Sequence, residues 1–402
     1  MREIQIQKIV NNITKRKINL FKKDKDENHQ ELINKIKGKS ALVIGGAGSI
    51  GSYFIKEIVN YNLNRLYIVD TNENGLAEIV RDLRSEEKNA KLIIRAYPID
   101  YANPIFERII VEKGPFEIVA NFSAHKHVRT EKDRYAIQAM FENNFLNLNR
   151  LLTILSKYQP EYFFCVSTDK AKNPVSIMGA TKKLMEQLLF SYKDNFNIST
   201  ARFANVAFSN GSLLKSFINR FEKNQPIVCP SDIKRYFVSH KEAGTLCLLA
   251  CFLGSNGDIF IPKLTPDKDL IYFKNTIVEF FKELDIEIDF CKTEQEARVK
   301  SKLINNNCLI SYPVYLFKTD TYGEKTFEEF YSDENIIDWK SFSNIGIIKK
   351  SIDIKLNQSA IIDEAQYLFD SNAPKKLIIK FLSKHIKGFS YIGSNKSLDD
   401  KM

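Results

Sequence analysis

The chain has 402 residues and a formal net charge of +10, with 44% hydrophobic residues. These values are ordinary for a soluble globular protein of one large domain or two, and they argue against a disordered chain. The basic balance reflects a composition rich in Lys, Asn and Ile rather than nucleic-acid binding, and it suits an anionic substrate such as a nucleotide diphosphate. No apolar run approaches the length of a membrane span, and the polar N-terminus is unlike a signal peptide.

The six cysteines show neither metal-ligand nor disulfide spacing. Cys165 falls in an apolar strand, while Cys247 and Cys251 lie one turn apart in an apolar helix, so we predict core positions. The pattern favours a reduced, cytoplasmic setting and predicts no metal site.

Residues 1–37 form a basic extension with 10 Lys and Arg against 5 Asp and Glu. Ile6, Ile9, Val10 and Ile13 recur at helical spacing, which predicts a short amphipathic helix. We expect it to pack on the body or on a second subunit; binding to a membrane surface is the alternative.

From Ser40 onward, strands and helices alternate, which predicts an α/β fold: a Rossmann-like, doubly wound parallel sheet. We expect the dinucleotide-binding domain at 38–206 and a smaller, discontinuous substrate lobe and extension at 207–393, some segments of which return to the dinucleotide-binding domain. A disordered tail is expected at 394–402. The predicted strands are 41–44, 66–69, 91–99, 116–121, 161–166 and 199–202. One predicted helix follows the first strand and ends near 59, and the others cover about 74–83, 135–156, 178–193, 212–223 and 241–253.

A glycine-rich loop follows the first predicted strand. Gly45, Gly48 and Gly51 enclose Ser49 and Ile50 at the junction with a helix. Without Cβ atoms the backbone can turn tightly and approach a pyrophosphate, which the amides at the helix N-terminus would face. Asp70 ends the next strand and can accept hydrogen bonds from an adenosine ribose, so NAD is favoured over NADP. Asp100, after the third strand, is a candidate for the adenine.

A polar cluster, Thr168, Asp169 and Lys170, follows the fifth predicted strand, and Met178 and Lys182 follow at the start of a helix. In an open α/β sheet, catalytic groups gather at the carboxyl edge. A hydroxyl, an acid and a base together are costly to bury unless they are used or paired. Helix capping is the structural alternative.

These motifs resemble those of the extended short-chain dehydrogenase/reductases, and within them the CapD-like nucleotide-sugar 4,6-dehydratases. The resemblance covers roughly 38–262 plus a short C-terminal element and is carried by Gly45–Gly51, Ala124–Val128, Ser167–Ala171, Met178–Lys182, Arg202–Val206, Arg235–Phe237 and Gly323–Lys325 with Glu328–Glu329. It implies UDP-N-acetylglucosamine as substrate, tightly held NAD and contacts of Ala124 and Lys182 with the cofactor. Most of the superfamily has Tyr where this chain has Met178; the Met variant resembles the subgroup that retains configuration at C5.

The resemblance implies three steps: oxidation at sugar C4, loss of water across C5 and C6, and return of hydride to C6. Thr168 would bind the 4-hydroxyl, Asp169 would protonate the leaving hydroxyl and Lys182 would bind the nicotinamide ribose. Lys170 would be the base at C5, provided that burial lowers its pKa. Which group accepts the 4-hydroxyl proton in place of the missing Tyr stays open.

Lys126 and Asn205 are candidates for the sugar nucleotide, Arg235 for the diphosphate and Glu324 for the nucleotide side. The helices near 135–156 and 178–193 could build a four-helix homodimer interface, as in the family. Alternatives are a C5-inverting or GDP-sugar dehydratase, an NAD-dependent 4-epimerase and a nucleotide-sugar-binding protein without catalysis.

Overall fold

The computed structural model describes residues 3–128, 131, 133–304, 310–319, 327–349 and 358–392. Glu324 and the predicted tail at 394–402 lie outside the described residues. The strands within these ranges are β1 (Ser40–Ile44), β2 (Arg65–Val69), β3 (Ile93–Tyr97), β4 (Ile118–Asn121), β5 (Tyr162–Val166), β6 (Ile198–Ala201), β7 (Asn205–Val206), β8 (Ile227–Pro230), β9 (Lys234–Arg235), β10 (Phe237–Val238), β11 (Ile259–Pro262), β12 (Ile271–Tyr272), β13 (Glu287–Cys291), β14 (Ser311–Phe317), β15 (Ile337–Asp338) and β16 (Ile345–Ile348).

The α-helices in the same ranges are α1 (Glu3–Thr14), α2 (Lys22–Glu27), α3 (His29–Ile36), α4 (Gly51–Ile58), α5 (Glu73–Ser85), α6 (Pro104–Lys113), α7 (Arg134–Phe141), α8 (Asn147–Leu155), α9 (Ile177–Ser191), α10 (Leu213–Glu222), α11 (His240–Leu253), α12 (Pro266–Asp269), α13 (Phe273–Leu284), α14 (Glu294–Ser301), α15 (Gln358–Asp370) and α16 (Lys375–His385). A π-helical turn at Glu142–Leu146 joins α7 to α8 without a break, so the helical run covers 134–155, as predicted for about 135–156, and only the winding differs at this turn.

The central sheet confirms the predicted doubly wound α/β architecture. Its strand order within the described residues is β15-β16-β11-β6-β5-β4-β1-β2-β3, and the strands from β3 to β11 are parallel. The run β3-β2-β1-β4-β5-β6 is the Rossmann order, in which ligands bind where the order reverses between β1 and β4. β1, β4 and β6 are buried throughout, as expected for strands covered by helices on both faces.

Segments after residue 206 return to the central sheet. β11 adds a parallel strand beside β6, and β16 then pairs antiparallel with β11. The C-terminal part therefore contributes strands to the dinucleotide-binding domain, because the buried edge of β6 needs a hydrogen-bonding partner.

The substrate lobe has its own core. A parallel sheet of order β13-β14-β8 packs with α10 and α13 around Phe217, Phe280 and Tyr312. The predicted N-terminal helix is present as α1, and Ile9 and Val10 on its apolar face are buried in this lobe core. Packing on the body is thus the observed use of this helix.

The two C-terminal helices cover α7 and α9. Phe369 of α15 and Phe381 of α16 contact the ring of Phe141, with ring centroids 5.2 and 6.1 Å apart. These aromatic residues share one core cluster with Leu184 and Leu188 of α9. The sequence suggested that a second copy pairs through α7–α9. Such a copy would have to share the face of α7 and α9 with α15 and α16, or displace these two helices.

Candidate active site

The glycine-rich loop between β1 and α4 is built for close backbone approach. Gly45 has φ +72°, and its N–H donates to the carbonyl of Val69 at 2.7 Å. A Cβ on Gly45 would lie 2.7 Å from the backbone nitrogen of Ser123, and one on Gly51 would lie 2.3 Å from the Gly45 carbonyl oxygen. Only glycine fits both places, so the backbone amides at the start of α4 remain accessible to a pyrophosphate.

Asp70 reaches this loop from the end of β2. Its Oδ2 accepts from the Ala47 N–H and its Oδ1 from the Asn72 N–H, both at 2.9 Å. Because an ionised carboxylate has about four acceptor positions, lone pairs remain for ribose hydroxyls. Asp100 follows β3, the strand next to β2. Its Oδ1 accepts from the Ala102 N–H at 2.8 Å, which is a contact within the local turn.

Ser49 and Ile50, the polar and the apolar residue inside the loop, have different surroundings. Ser49 Oγ accepts from the N–H of Asn210 at 2.9 Å, which ties the loop to the segment before α10. Ile50 precedes α4 and packs partly buried against the main core. Ser49 therefore links the dinucleotide-binding domain to the substrate lobe.

The loop after β4, which contains Ala124, is held by two asparagines of the π-helical turn. Asn143 Oδ1 accepts from Ser123 Oγ at 2.9 Å, while Asn144 accepts from the N–H of His125 and donates to its carbonyl, each at 2.9 Å. Sequence reasoning missed both asparagines. The available signal was a pair of adjacent asparagine side chains within an apolar helical pattern. π-Helical turns, such as the one that holds them, are frequent at functional sites.

Thr168, Asp169 and Lys170 lie together at the carboxyl edge of β5, on a short 3-10 turn. Thr168 Oγ1 donates to Asp169 Oδ1 at 2.8 Å, and Lys170 Nζ contacts the same oxygen at 3.3 Å. Asp169 is buried, whereas the Lys170 side chain retains 24% exposure. The structure thus places a hydroxyl, a carboxylate and an ammonium group within one hydrogen-bonded cluster.

The expected role of Lys170 as the base at C5 depends on a pKa that burial lowers, and the structure contradicts this condition. Burial opposes its charged form, but the carboxylates of Asp169 and Glu328 outweigh burial and the repulsion of Arg235, so the pKa of Lys170 is raised. Glu328 Oε1 lies 3.8 Å from Lys170 Nζ. Lys170 is therefore an ammonium ion in this structure, and a role as base requires that its proton first move to a neighbour.

Lys182 and Met178 lie on the buried first turns of α9, which Ser176 caps by accepting from the N–H of Gly179. Lys182 Nζ donates to the carbonyl of Val166 at 2.9 Å, and desolvation lowers its pKa. The backbone N–H of Met178 donates to a carboxylate oxygen of Glu131 at 2.8 Å. Lys182 is thus fixed against the end of β5, beside the polar cluster at 168–170.

A buried ion pair between Arg202 and Glu186 is joined to the end of β5 through Ser167. Arg202 binds both carboxylate oxygens of Glu186, at 2.8 and 2.7 Å, and Ser167 Oγ donates to Glu186 Oε1 at 2.7 Å. Burial alone would raise the pKa of Glu186, but the Arg202 guanidinium holds it at about 2. Sequence reasoning quoted Arg202 only as part of a motif and did not identify its partner.

The predicted substrate residues lie at separate places in the fold. Lys126 is exposed, although nearby protein atoms desolvate its ammonium group and lower its pKa. Asn205 begins β7, where its N–H donates to the Tyr236 carbonyl at 3.0 Å. Arg235 is buried, donates to the carbonyl of Lys234 at 2.8 Å and lies close enough to affect the charge of Lys170.

The segment at 327–331 returns to the polar cluster at 168–170 from the C-terminal part. Arg202 Nη1 donates to the carbonyl of Phe330 at 2.8 Å, and Lys172 Nζ donates to Glu329 Oε2 at 2.6 Å. Glu328, directly before these two anchors, is buried beside Lys170. The sequence pattern contained Glu328 and Glu329 but gave neither a role.

The sheet order, the glycine-rich loop with Asp70, and Lys182 on α9 define a Rossmann-type fold of the extended short-chain dehydrogenase/reductase class. Residues 41–308 match the family described as polysaccharide biosynthesis protein. The chain belongs to this family.

Two curated relatives show how far the similarity extends. The chain is 30% identical over 318 residues to the capsular polysaccharide biosynthesis protein CapD of Staphylococcus aureus, covering 76% of this chain and 52% of CapD. It is 28% identical over 361 residues to an uncharacterized membrane protein of Methanocaldococcus jannaschii, covering 88% of this chain and 99% of that protein. The chain thus spans about half the length of CapD. Among the described residues, no helix has the length and apolar character needed to cross a bilayer.

Solved structures share the fold. Pen from Bacillus thuringiensis superposes with a TM-score of 0.64 at 18% identity, covering 84% of this chain and 98% of Pen. The UDP-glucose 4-epimerase of Thermotoga maritima, solved with UDP-glucose, gives a TM-score of 0.53 at 17% identity, with 73% and 90% coverage. At these identities the similarity establishes the fold, and the reaction has to be inferred from the residues of the site.

Proposed function

We propose that this protein is an NAD-dependent UDP-N-acetylglucosamine 4,6-dehydratase that yields the 4-keto-6-deoxy sugar nucleotide with retained C5 configuration. The observation that carries the proposal is the contact between Asp169 and Lys170, 3.3 Å apart beside the Thr168 hydroxyl. A water elimination needs an acid and a base at adjacent carbons, whereas a 4-epimerase needs neither at C5 and C6. The relation to CapD, which is named for capsular polysaccharide biosynthesis, supports a role in surface-glycan synthesis.

The residues of the loop fit a dinucleotide. Glycine is required at Gly45 and Gly51, where a Cβ would clash with the Ser123 backbone and the Gly45 carbonyl oxygen, and the Asp70 carboxylate lies beside the loop, where it would bind an adenosine ribose. NAD, when bound, supplies an acceptor for the C4 hydride and the donor that returns it to C6. Lys182, held at the end of β5, would donate a hydrogen bond to the nicotinamide ribose.

In this proposal Asp169 and Lys170 share one transferable proton, which rests on the ammonium group of Lys170, 3.3 Å from Asp169 Oδ1. Transfer of that proton from Lys170 Nζ to Asp169 Oδ1 gives a neutral amine and a neutral acid. The amine can then take the C5 proton, while the acid protonates the leaving 6-hydroxyl as the C6–O bond breaks. The elimination leaves the pair as ammonium and carboxylate. As hydride returns to C6, Lys170 gives its proton back to C5, and the proton released from the 4-hydroxyl then restores the ammonium form, so the cycle closes without an outside proton donor.

Thr168 and Met178 define what happens at C4. Thr168 Oγ1 donates to Asp169 and can instead bind the 4-hydroxyl when substrate enters. Met178 is buried and its thioether has no exchangeable proton, so it contributes shape and apolar packing. The 4-hydroxyl proton would then leave through Thr168 toward Asp169 or through water.

The substrate would lie across the cleft between the catalytic cluster and the lobe. Lys126 and Asn205 are proposed to contact the sugar nucleotide, and Arg235 the diphosphate, since a guanidinium can bind two phosphate oxygens at once. The proximity of Arg235 to Lys170 supports a phosphate position next to the reacting sugar. Glu324 keeps its proposed role on the nucleotide side on sequence grounds alone.

A 4-epimerase is the second candidate, because UDP-glucose 4-epimerases of Rickettsia are among the relatives; that of Rickettsia bellii is 28% identical over 235 residues. The two reactions differ in their products. Incubation with UDP-N-acetylglucosamine and no added reductant should give a 4-keto product lighter by one water molecule, identified by mass spectrometry and proton NMR. An isomer of unchanged mass would replace the dehydratase by the epimerase. Unchanged substrate, with GDP-N-acetylglucosamine tested in parallel, would favour a binding protein.

A further inference from the structure

We propose that Glu328 is a positioning residue of the catalytic cluster, whose carboxylate holds the ammonium group that forms on Lys170 when it takes the C5 proton. This inference rests on the proposed function and adds a role that the motif pattern does not assign. The direct observation is the 3.8 Å separation between Glu328 Oε1 and Lys170 Nζ, with Glu328 buried.

The two residues that follow Glu328 anchor it. The Phe330 carbonyl accepts from Arg202 Nη1 at 2.8 Å, and the Phe330 ring packs against Tyr236, with centroids 5.3 Å apart. Glu329, directly after Glu328, binds Lys172. Arg202 is itself locked by Glu186, so the position of Glu328 is coupled to the rigid end of β6.

The charges facing Lys170 explain why a second carboxylate is useful. Asp169 and Glu328 stabilise its ammonium form, while Arg235 destabilises it. In the elimination, the C5–H bond breaks and an N–H bond forms on Lys170, while the Asp169 O–H proton goes to the departing hydroxyl. Positive charge therefore develops on Lys170 as negative charge develops on Asp169. Glu328 stabilises that ammonium group and takes no part in the proton transfers, so the atoms and charges balance without another reactant.

The neighbouring glutamate supplies a matched control. Glu329 is half-exposed and its partner is Lys172, which is not part of the proposed chemistry. Glu328→Gln and Glu329→Gln each remove one negative charge from the same segment and preserve its shape. A role specific to Lys170 predicts different outcomes for the two variants.

The test is the pH profile of kcat for the wild-type protein and both variants, with melting temperature as the folding control. The high-pH limb reports loss of the proton shared by Asp169 and Lys170. Glu328→Gln should move that limb to lower pH by about one unit or more, the usual effect of losing an adjacent opposite charge. It should also lower kcat by roughly tenfold or more, whereas Glu329→Gln should leave the limb unchanged. An unmoved limb in Glu328→Gln, or equal shifts in both variants, would overturn the proposal.

A second variant and a second measurement keep the test independent of folding and of activity. If Glu328→Gln does not fold, Glu328→Asp should shift the limb in the same direction by less, because the charge withdraws by one methylene; no shift would refute the role. Acetylation of Lys170 by acetic anhydride at graded pH, read by peptide mass spectrometry, reports its protonation without substrate. That titration should move to lower pH in Glu328→Gln, and no movement would refute the contact. Absence of any 4-keto product from the wild-type protein would instead refute the dehydratase function alone.

Discussion

The buried pair of Glu186 and Arg202 should be a major source of stability, and Glu186→Gln tests this. A pKa held at about 2, against 4.5 in the unfolded chain, corresponds to about 3 kcal/mol of stabilisation of the folded state. Removing one partner of a buried ion pair costs about 3–5 kcal/mol, because the other charge is left without compensation. The two estimates agree, so we expect Glu186→Gln to lose about 3 kcal/mol or more at neutral pH.

The sign of the pH dependence follows from the lowered pKa. The stabilisation by Glu186 is fully present above its unfolded pKa of 4.5 and is lost as pH falls toward about 2. The wild-type protein should therefore lose part of its advantage over Glu186→Gln in that interval. The measurement is urea unfolding followed by circular dichroism at neutral pH and at graded acid pH.

An exposed ion pair provides the control for Glu186. Glu78 and Arg81 form an ion pair on the surface of α5, and Glu78→Gln should change the free energy of unfolding by less than about 1 kcal/mol. A double variant, Glu186→Gln with Arg202→Met, should be more stable than Glu186→Gln alone, since no buried charge is left unpaired. The reasoning fails if Glu186→Gln unfolds like the Glu78 control, or if the double variant is no better than the single one.

The remaining predictions concern turnover and the cofactor. Asp169→Asn and Lys170→Ala should fold and bind NAD, yet each should reduce product formation by roughly 10²-fold or more, the usual scale for a lost acid or base; near-normal rates in both would contradict their roles. Met178→Leu should keep most of the activity because volume is nearly preserved, whereas Thr168→Val should be far more damaging; a folded but inactive Leu variant, assayed by the same NMR method, would contradict the packing role. Gly45→Ala should abolish NAD binding measured by calorimetry, because its φ of +72° and the crowded loop exclude a methyl group, and wild-type affinity would refute the loop assignment.

The isotope distribution in the product checks the complete reaction. Because hydride leaves C4 and returns to C6, substrate deuterated at C4 should give product deuterated at C6. Deuterium found instead in free reduced cofactor would indicate a simple dehydrogenase.

The sequence by itself determined the alternating parallel sheet and the ends of its strands. Apolar runs such as 41–44 and 162–166 can be buried only between helices, and polar residues that follow them must lie at the carboxyl edge. That is why the glycine-rich loop, Asp70 and the cluster at 168–170 could be located without coordinates. Local spacing also predicted α1, since its apolar period is independent of what it packs against.

Tertiary structure alone decided which distant groups share a charge environment. The role of Lys170 as base depends on a pKa lowered by burial, but the carboxylates of neighbouring Asp169 and of Glu328, far along the chain and 3.8 Å away, together raise that pKa. The partnership of Glu186 with Arg202 and the placement of β11 and β16 in the main sheet are likewise long-range outcomes. A pattern of neighbouring residues records propensity and periodicity, whereas pKa values and sheet pairing depend on contacts between segments that meet only when the chain folds.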